Sequence, residues 1–278
     1  MLDPRLLRTF VAVVDTASFT IAADRLNSTQ STVSQQLGRL ESAVGQRLID
    51  RLARPVVLTP AGERLIGYAR RLLALQEEAE VLLADPAGTA TIRIGVPDDI
   101  VTSAMSRQFA CFAERHREIR LDVTTGLSRD LSKRYRAGEF DIAIVKAAVA
   151  DSDARASFPE PLSWFEAAEQ LDAWPEPIPL VTFPPGGLYR DLMIDRIERS
   201  QRRWYIAFTG NSLASVLSAI EAGLGVSVLP VSTTAGHAVR RSAIFTPEAS
   251  LELSIYAWEG DGPIAELVSM MAKVLTER

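Results

Sequence analysis

The stretch Thr20-Ile-Ala-Ala-Asp-Arg-Leu-Asn-Ser-Thr-Gln-Ser-Thr-Val-Ser-Gln-Gln-Leu-Gly-Arg-Leu-Glu41 reads as two helices joined by a tight turn. In the second, Val33, Leu37, Leu40 and Val44 recur at steps of four, three and four, which is one side of an α-helix. Gln30, Ser31, Ser34 and Gln35 fall on the opposite side. A helix face that meets only water is usually rich in Glu and Lys. A face of Gln and Ser offers short donors and acceptors, which suit base edges in a major groove. In the first helix Ala22 and Ala23 permit a close crossing, and Ile21 and Leu26 complete its apolar side. Asn27 stands at the turn, where a left-handed backbone is often needed and Asn tolerates it. Ser28 or Thr29 supplies a cap for the second helix. The pattern is that of a helix-turn-helix with the second helix as reader. Taken alone it also fits a helical hairpin in a core, so the flanking sequence has to decide.

Upstream, Leu2 to Ala17 reads as a helix with Pro4 in its first turn and a broad apolar face of Leu6, Leu7, Phe10, Val11, Val13 and Val14. Ser18 is a start signal for the next helix. Downstream, Arg47 to Gly62 has β-branched residues flanking a turn-like Arg51–Pro55 segment, which reads as a short hairpin, a wing. Arg51 and Arg54 at its tip are placed to reach phosphate or a minor groove; the plainer reading is a solvated arginine pair. Pro60 and Ala61 open a long helix to about Ala84. Along it Leu65, Tyr68, Leu72, Leu75, Ala79 and Leu82 repeat at alternating three and four, a coiled-coil seam. A dimer partner would cover that stripe, and two DNA half-sites call for a dimer. The helix can also pack on the chain's own first helix. Residues 85–90, Asp-Pro-Ala-Gly-Thr-Ala, read as a hinge.

From Thr91 the pattern changes to alternating strands and helices, which predicts a mostly parallel sheet with helices on both faces. Strands are expected at Ile92–Val96, Ile119–Thr125, Phe140–Val145, Leu162–Phe165, Ile178–Phe183, Trp204–Phe208, Gly223–Pro230 and Leu251–Ala257. Helices are expected at Val101–Arg115, Leu131–Ala137, Tyr189–Arg199, Asn211–Ala222 and Ile264–Leu275. The pattern falls into two lobes: residues 91–161 with 231–278, and residues 162–230. A cleft between such lobes, at strand C-termini, binds small molecules.

The totals agree with a folded two-domain chain. It has 278 residues, 47% of them hydrophobic, and a net charge of −5. Through Arg64 it carries eight arginines against six carboxylates, so any nucleic-acid contact is local to the N-terminal part. Cys111 is the only cysteine, which excludes an internal disulfide and a cysteine-rich metal site; its apolar helical setting predicts a core position. No signal peptide and no long apolar run are visible, so a cytoplasmic protein without a membrane partner is expected. His116 and His237 are the only histidines, and His116 stands between Arg115 and Arg117 on an expected solvent face. There is no Gly-rich phosphate loop and no Gly-x-Ser-x-Gly elbow, and Gly223-x-Gly225 precedes a strand rather than a helix. An enzyme is therefore not expected, and no cofactor or metal. Two rival readings stay in view: an α/β enzyme, and a small-molecule-binding protein whose N-terminal helices serve assembly only.

The chain closely resembles LysR-type transcriptional regulators. The resemblance is carried by Ala22-Ala23, Leu26, Thr29 to Ser34, Leu37, Leu40-Glu41, Gly45, Leu48, Arg51 and Leu58 to Gly62. Further on it rests on Ile92 to Gly95, Gly138 to Asp141, and Ala222 to Val226 with Pro230. Ile49 departs from the family's aromatic residue, and the reader helix ends with few basic groups. The resemblance implies an α/β protein overall. Residues 1–60 would be a winged helix-turn-helix DNA-binding domain, 61–84 a dimerising linker helix and 85–90 a hinge. Residues 91–278 would be a two-lobed, periplasmic-binding-protein-like effector domain. It also implies double-stranded DNA, RNA polymerase and further copies of the chain as partners, in a dimer or a tetramer. The candidate base-edge residues are Gln30, Ser31, Ser34 and Gln35, with Thr29 and Thr32 near phosphate and Arg39, Arg51 and Arg54 as the phosphate grip.

For the effector, candidates sit at strand ends and helix starts that face the cleft. These are Asp98, Asp99, Thr102 and Ser103, then Ser128 and Lys146, then Thr209, Asn211 and Ser212. Helix N-termini there suit a carboxylate. Asp98 and Asp99 argue against an anion, and Lys146 argues for one. Each Ser, Thr or Asp also fits a plain helix cap. A small polar metabolite is the expected effector.

Overall fold

The computed structural model describes residues 2–84, 90–169, 174–245 and 250–278, and of residues 78, 81, 82 and 84 only the backbone. Contacts divide the chain into two compact units. One holds Met1–Thr91 with Glu118–Arg120 and Lys133–Phe140; the other holds Ile92–Arg117, Leu121–Ser132 and Asp141–Arg278.

The first unit begins with α1 (Pro4–Thr16), capped by the Asp3 carboxylate. Then come α2 (Phe19–Arg25), capped by Ser18, and α3 (Gln30–Val44), capped by Thr29. Asn27 adopts the left-handed backbone, φ 48°, in the turn between α2 and α3. Strands β1 (Ile49–Asp50) and β2 (Val57–Leu58) pair antiparallel as the wing. Helix α4 (Pro60–Ala84) follows. One apolar core joins these elements: Phe10 and Val13 of α1, Ala22 and Ala23 of α2, Val33, Leu37 and Leu40 of α3, and Ile66, Ala69 and Leu73 of α4. Burial of such side chains stabilises by about 1.5–3 kcal/mol each. Helix α4 therefore packs on the chain's own first helices through Ile66, Ala69 and Leu73. The expected seam lies on another face: Tyr68, Leu72, Leu75 and Ala79 are exposed and Leu65 is half-buried against the core. The side chain of Leu82, and the hinge except Ala90, lie outside the described residues.

The second unit contains two lobes. In the first, β3 (Ala90–Val96), β4 (Ile119–Thr125), β5 (Ile142–Ala147), β6 (Ala156–Glu160) and β12 (Leu251–Ala257) form one sheet in the order β4-β3-β5-β12-β6. It carries α5 (Ser103–Arg115), α6 (Ser128–Arg136) and α9 (Gly262–Thr276). In the second lobe, β7 (Leu162–Ala167), β10 (Ser227–Pro230) and β11 (Val239–Arg241) make a three-stranded sheet. Beside it β8 (Ile178–Thr182) pairs in parallel with β9 (Trp204–Thr209), and a single bridge from Leu180 to Val226 joins the two. Helices α7 (Leu188–Arg199) and α8 (Leu213–Glu221) cover this lobe.

Several expectations are corrected. The sheets are mixed rather than mostly parallel: β12 runs antiparallel to β5 and β6, and β7 antiparallel to β10 and β11. The short strands β6 and β11, unrecognised in sequence, supply part of that pairing. The second lobe also does not end at Pro230, because β11 returns to β7, and the chain rejoins the first sheet only at β12. Cys111 is half-buried and accepts a hydrogen bond from Arg115 at 3.3 Å, so it is not a core residue. His116 is mostly covered and bonded to Glu266 at 2.9 Å, while Arg115 and Arg117 beside it are exposed. Among the described residues no helix is long and apolar enough to cross a membrane.

Candidate DNA-reading face and effector cleft

Helix α3 is fixed from behind and open in front. Its apolar stripe is buried, and Thr9 of α1 donates to Gln36 Oε1 at 2.6 Å, which sets the helix rotation. Gln30, Ser31 and Gln35 are exposed, and Thr32 and Ser34 half-exposed. Thr29 Oγ1 accepts from the Thr32 amide at 3.2 Å and lies 2.9 Å and 2.8 Å from the hydroxyls of Ser31 and Thr32. Thr29 is thus the cap first, with its hydroxyl shared along the first turn. Arg39 and Arg54 are exposed. Arg51 is held within the chain: its guanidinium donates to Glu41 Oε2 at 2.9 Å and to Ser34 Oγ at 3.3 Å. Glu41 Oε1 accepts from the amides of Leu48 and Ile49 at 2.9 Å and 3.4 Å. One carboxylate therefore ties the wing to the reader helix.

In the second unit a cavity of about 210 Å³ opens between the lobes. Asp98, Asp99, Ser128, Lys146 and Asn211 line it, as expected, with Pro97, Leu127, Phe183, Leu188 and Leu213 as apolar wall. Thr102, Ser103, Thr209 and Ser212 do not line it. Thr102 caps α5, and Ser212 caps α8 in a reciprocal arrangement with Ser215. For these two the plain helix-cap reading describes the geometry. Asp98 accepts from the Leu213 amide at 3.3 Å, so a carboxylate of the chain already occupies the start of α8.

Lys146 is the centre of a buried cluster. Its ammonium donates to Asp99 and, at 2.6 Å, to the Tyr189 hydroxyl, and it lies 3.6 Å from Glu160. Arg278 pairs with Asp99 at 3.2 Å and Glu160 at 3.0 Å, and Ser232 donates to Glu160 at 2.9 Å. Two cations thus face two carboxylates. Burial pushes the Asp99 carboxyl up, but Lys146 and then Arg278 more than offset it, so it lies below the usual carboxylate range. Burial, Asp99 and Glu160 hold the Tyr189 hydroxyl well above its ordinary value, so it stays protonated.

Two family models match the chain: the bacterial regulatory helix-turn-helix of the lysR family over residues 4–63, and the LysR substrate binding domain over residues 87–257. The chain belongs to the LysR family of transcriptional regulators. Among relatives of this LysR-family regulator, the HTH-type transcriptional regulator DgdR of Burkholderia cepacia is 30% identical over 82% of this chain and 78% of its own. PecT of Dickeya dadantii is 31% identical over 83% and 73%. The fold superposes on full-length LysG of Corynebacterium glutamicum with bound effector Arg, TM-score 0.66 at 20% identity, over 99% of each chain. ArgP of Mycobacterium tuberculosis gives 0.64 at 23% identity, over 99% of this chain and 98% of its own.

Sequence reasoning missed Tyr189, which lines the regulator's cavity, and Glu160 and Arg278, which pair with its lining residues Lys146 and Asp99. Tyr189 had a signal: it follows the Gly186-Gly187 turn after β8, at a helix start. Glu160 lies in Pro159-Glu-Pro161, read as irregular chain, and Arg278 is 118 residues away from it in sequence. No local pattern pairs them.

Proposed function

We propose that this LysR-family regulator reads a specific DNA site with α3 and changes the geometry of a dimer or tetramer on DNA when a small polar effector enters the inter-lobe cavity. Residues 1–60 read DNA, 61–84 dimerise through the stripe Leu65, Tyr68, Leu72, Leu75, Ala79 and Leu82, and 91–278 respond to the effector. The protein acts in the cytoplasm, as a regulator that engages RNA polymerase. The observation that carries the reading is the uncharged stripe of Gln30, Ser31, Ser34 and Gln35, exposed on a helix whose opposite side is locked into a core. Arg39 and Arg54 flank it for phosphate. Vibrio fischeri DarR, a neighbour at TM-score 0.52, was solved in complex with DNA.

The cavity supports a zwitterionic or amine-bearing effector over an organic acid. Lys146, the cation of its lining, is already neutralised by Asp99 and Glu160, whereas Asp98 is exposed at the mouth. Effector-bound LysG, which carries Arg, is consistent with that chemistry. Two measurements on the full-length protein test the proposal. Gln30→Ala is expected to cost ~1–3 kcal/mol of discrimination between a selected site and random DNA at fixed salt; unchanged discrimination removes Gln30 from the reader. A thermal-shift screen of amino acids, amines and organic acids is expected to raise the midpoint with an amine-bearing compound, by mass action. A shift confined to simple carboxylic acids overturns the effector class.

A further inference from the structure

Arg51 is the one arginine of the reading face that is bound on two sides by its own chain. Its Nη2 donates to Glu41, and Glu41 is anchored by the wing amides of Leu48 and Ile49. Its Nη1 donates to Ser34 Oγ, and the Phe19 ring lies 5.9 Å from its guanidinium carbon. A serine hydroxyl has one proton and two lone pairs. In a helix the proton is commonly given back to the carbonyl four residues earlier. Ser42 and Ser269 do this at 2.8 Å and 2.9 Å. Ser34 does not; among the described residues its hydrogen bond is the one it accepts from Arg51. With one lone pair occupied by Arg51, Ser34 keeps its proton and one lone pair on the exposed side of α3, and the cation at the first lone pair polarises the hydroxyl toward giving its proton.

We propose that Arg51 is a positioning residue and not a phosphate contact: it fixes Ser34 as a hydrogen-bond donor toward an acceptor on a base edge in the major groove. The acceptors there are purine N7, guanine O6 and thymine O4. A guanidinium whose charge is matched by Glu41 contributes little to counterion release, which leaves that role to Arg39 and Arg54. This inference rests on α3 being the reader.

The test uses the full-length protein and a duplex that it selects from a random pool. Base analogues delete one acceptor at a time: 7-deazapurines for N7, 2-aminopurine for O6, 5-methyl-2-pyrimidinone for O4. Others delete a donor: purine for the adenine amino group, 2-pyrimidinone for that of cytosine. One acceptor deletion is expected to weaken wild-type binding by about tenfold. Ser34→Ala and Arg51→Ala are each expected to abolish that penalty, and the double variant to behave as either single one. The slope of log affinity against log salt is expected to be unchanged in Arg51→Ala and to fall by about 0.9 in Arg54→Ala. A fall of about 0.9 in Arg51→Ala, with the acceptor penalty retained, makes Arg51 a phosphate contact and overturns the proposal. So does a penalty that Ser34→Ala abolishes but that follows a donor deletion. The Ser34→Ala comparison leaves Arg51 and the wing intact, so it decides the polarity even where Arg51→Ala folds poorly. A pool that yields no preferred sequence removes the reader assignment itself, and this inference with it.

Discussion

The two units each hold a knot of charge, and the knots differ in how much water reaches them. At the wing, Arg51 is about one-third exposed and Glu41 one-tenth, at side-chain values of 35% and 10%. In the cleft, Lys146, Asp99 and Glu160 are at 2%, 8% and 2%. Water screens the first pair and adds little to its cost or its worth. The second cluster has lost its hydration and is held by mutual neutralisation and hydrogen bonds. The same residue types therefore do different work. The wing pair ties the wing to α3 and, in our proposal, aims Ser34 at DNA. The cleft cluster closes on itself and joins Asp99, Lys146, Glu160 and Arg278 of the first lobe to Tyr189 of the second.

The largest expected effect lies in the cleft. Lys146→Met leaves Asp99 and Glu160 with Arg278 alone, in a site with almost no water. Removing one partner of a buried ion pair typically costs 3–5 kcal/mol, and the variant is expected to lose about that much. Denaturant unfolding of the full-length protein, followed by a probe in the second unit, checks it. Glu41→Gln is the matched change at the wing. It keeps an oxygen for the Leu48 and Ile49 amides and puts an uncharged amide nitrogen opposite Arg51, so the ion pair and its hydrogen bond are lost. The expected loss is about 1 kcal/mol or less. Equal losses would mean that exposure does not separate the two knots.

The same contrast explains what could be read from the sequence. Helix α3 was legible because both its faces are set by a period of 3.6 within fifteen residues. Asn27 and the Ser18 and Thr29 caps are equally local. In the cleft, a rule about strand ends and helix starts found Asp98, Asp99, Ser128, Lys146 and Asn211. The same rule named Thr102 and Ser212, whose hydroxyls turn back on their own helices. Periodicity cannot tell which way a capping residue faces. Glu160 and Arg278 meet only because β6 is the edge strand beside β12, a pairing with no local signature. Nor did the pattern disclose that Arg51 is engaged by Glu41, since the stretch between them, a separation of ten in sequence, crosses the turn after α3.

The smallest expected effect is one of pH. The Asp99 carboxyl lies below its ordinary value in the folded protein because Lys146 and Arg278 outweigh the cost of burying it. Such a group contributes stability that is fully present above its unfolded value, near 3.9, and is lost as pH falls through its lowered native value. Between about pH 5 and 8 the gap in unfolding free energy between wild type and Asp99→Asn is therefore expected to stay flat. Below about pH 4 it is expected to narrow, as the unfolded chain binds a proton that the folded wild type does not yet accept; the loss ends once the folded carboxyl protonates too. Denaturant midpoints measured from pH 7 down to pH 3 decide it. A gap that stays flat down to pH 3, or that widens as pH falls from 7 to 5, would mean that Asp99 is not held low. The cleft cluster would then be loosely hydrated, like the wing pair, and the contrast between the two knots would lose its physical basis.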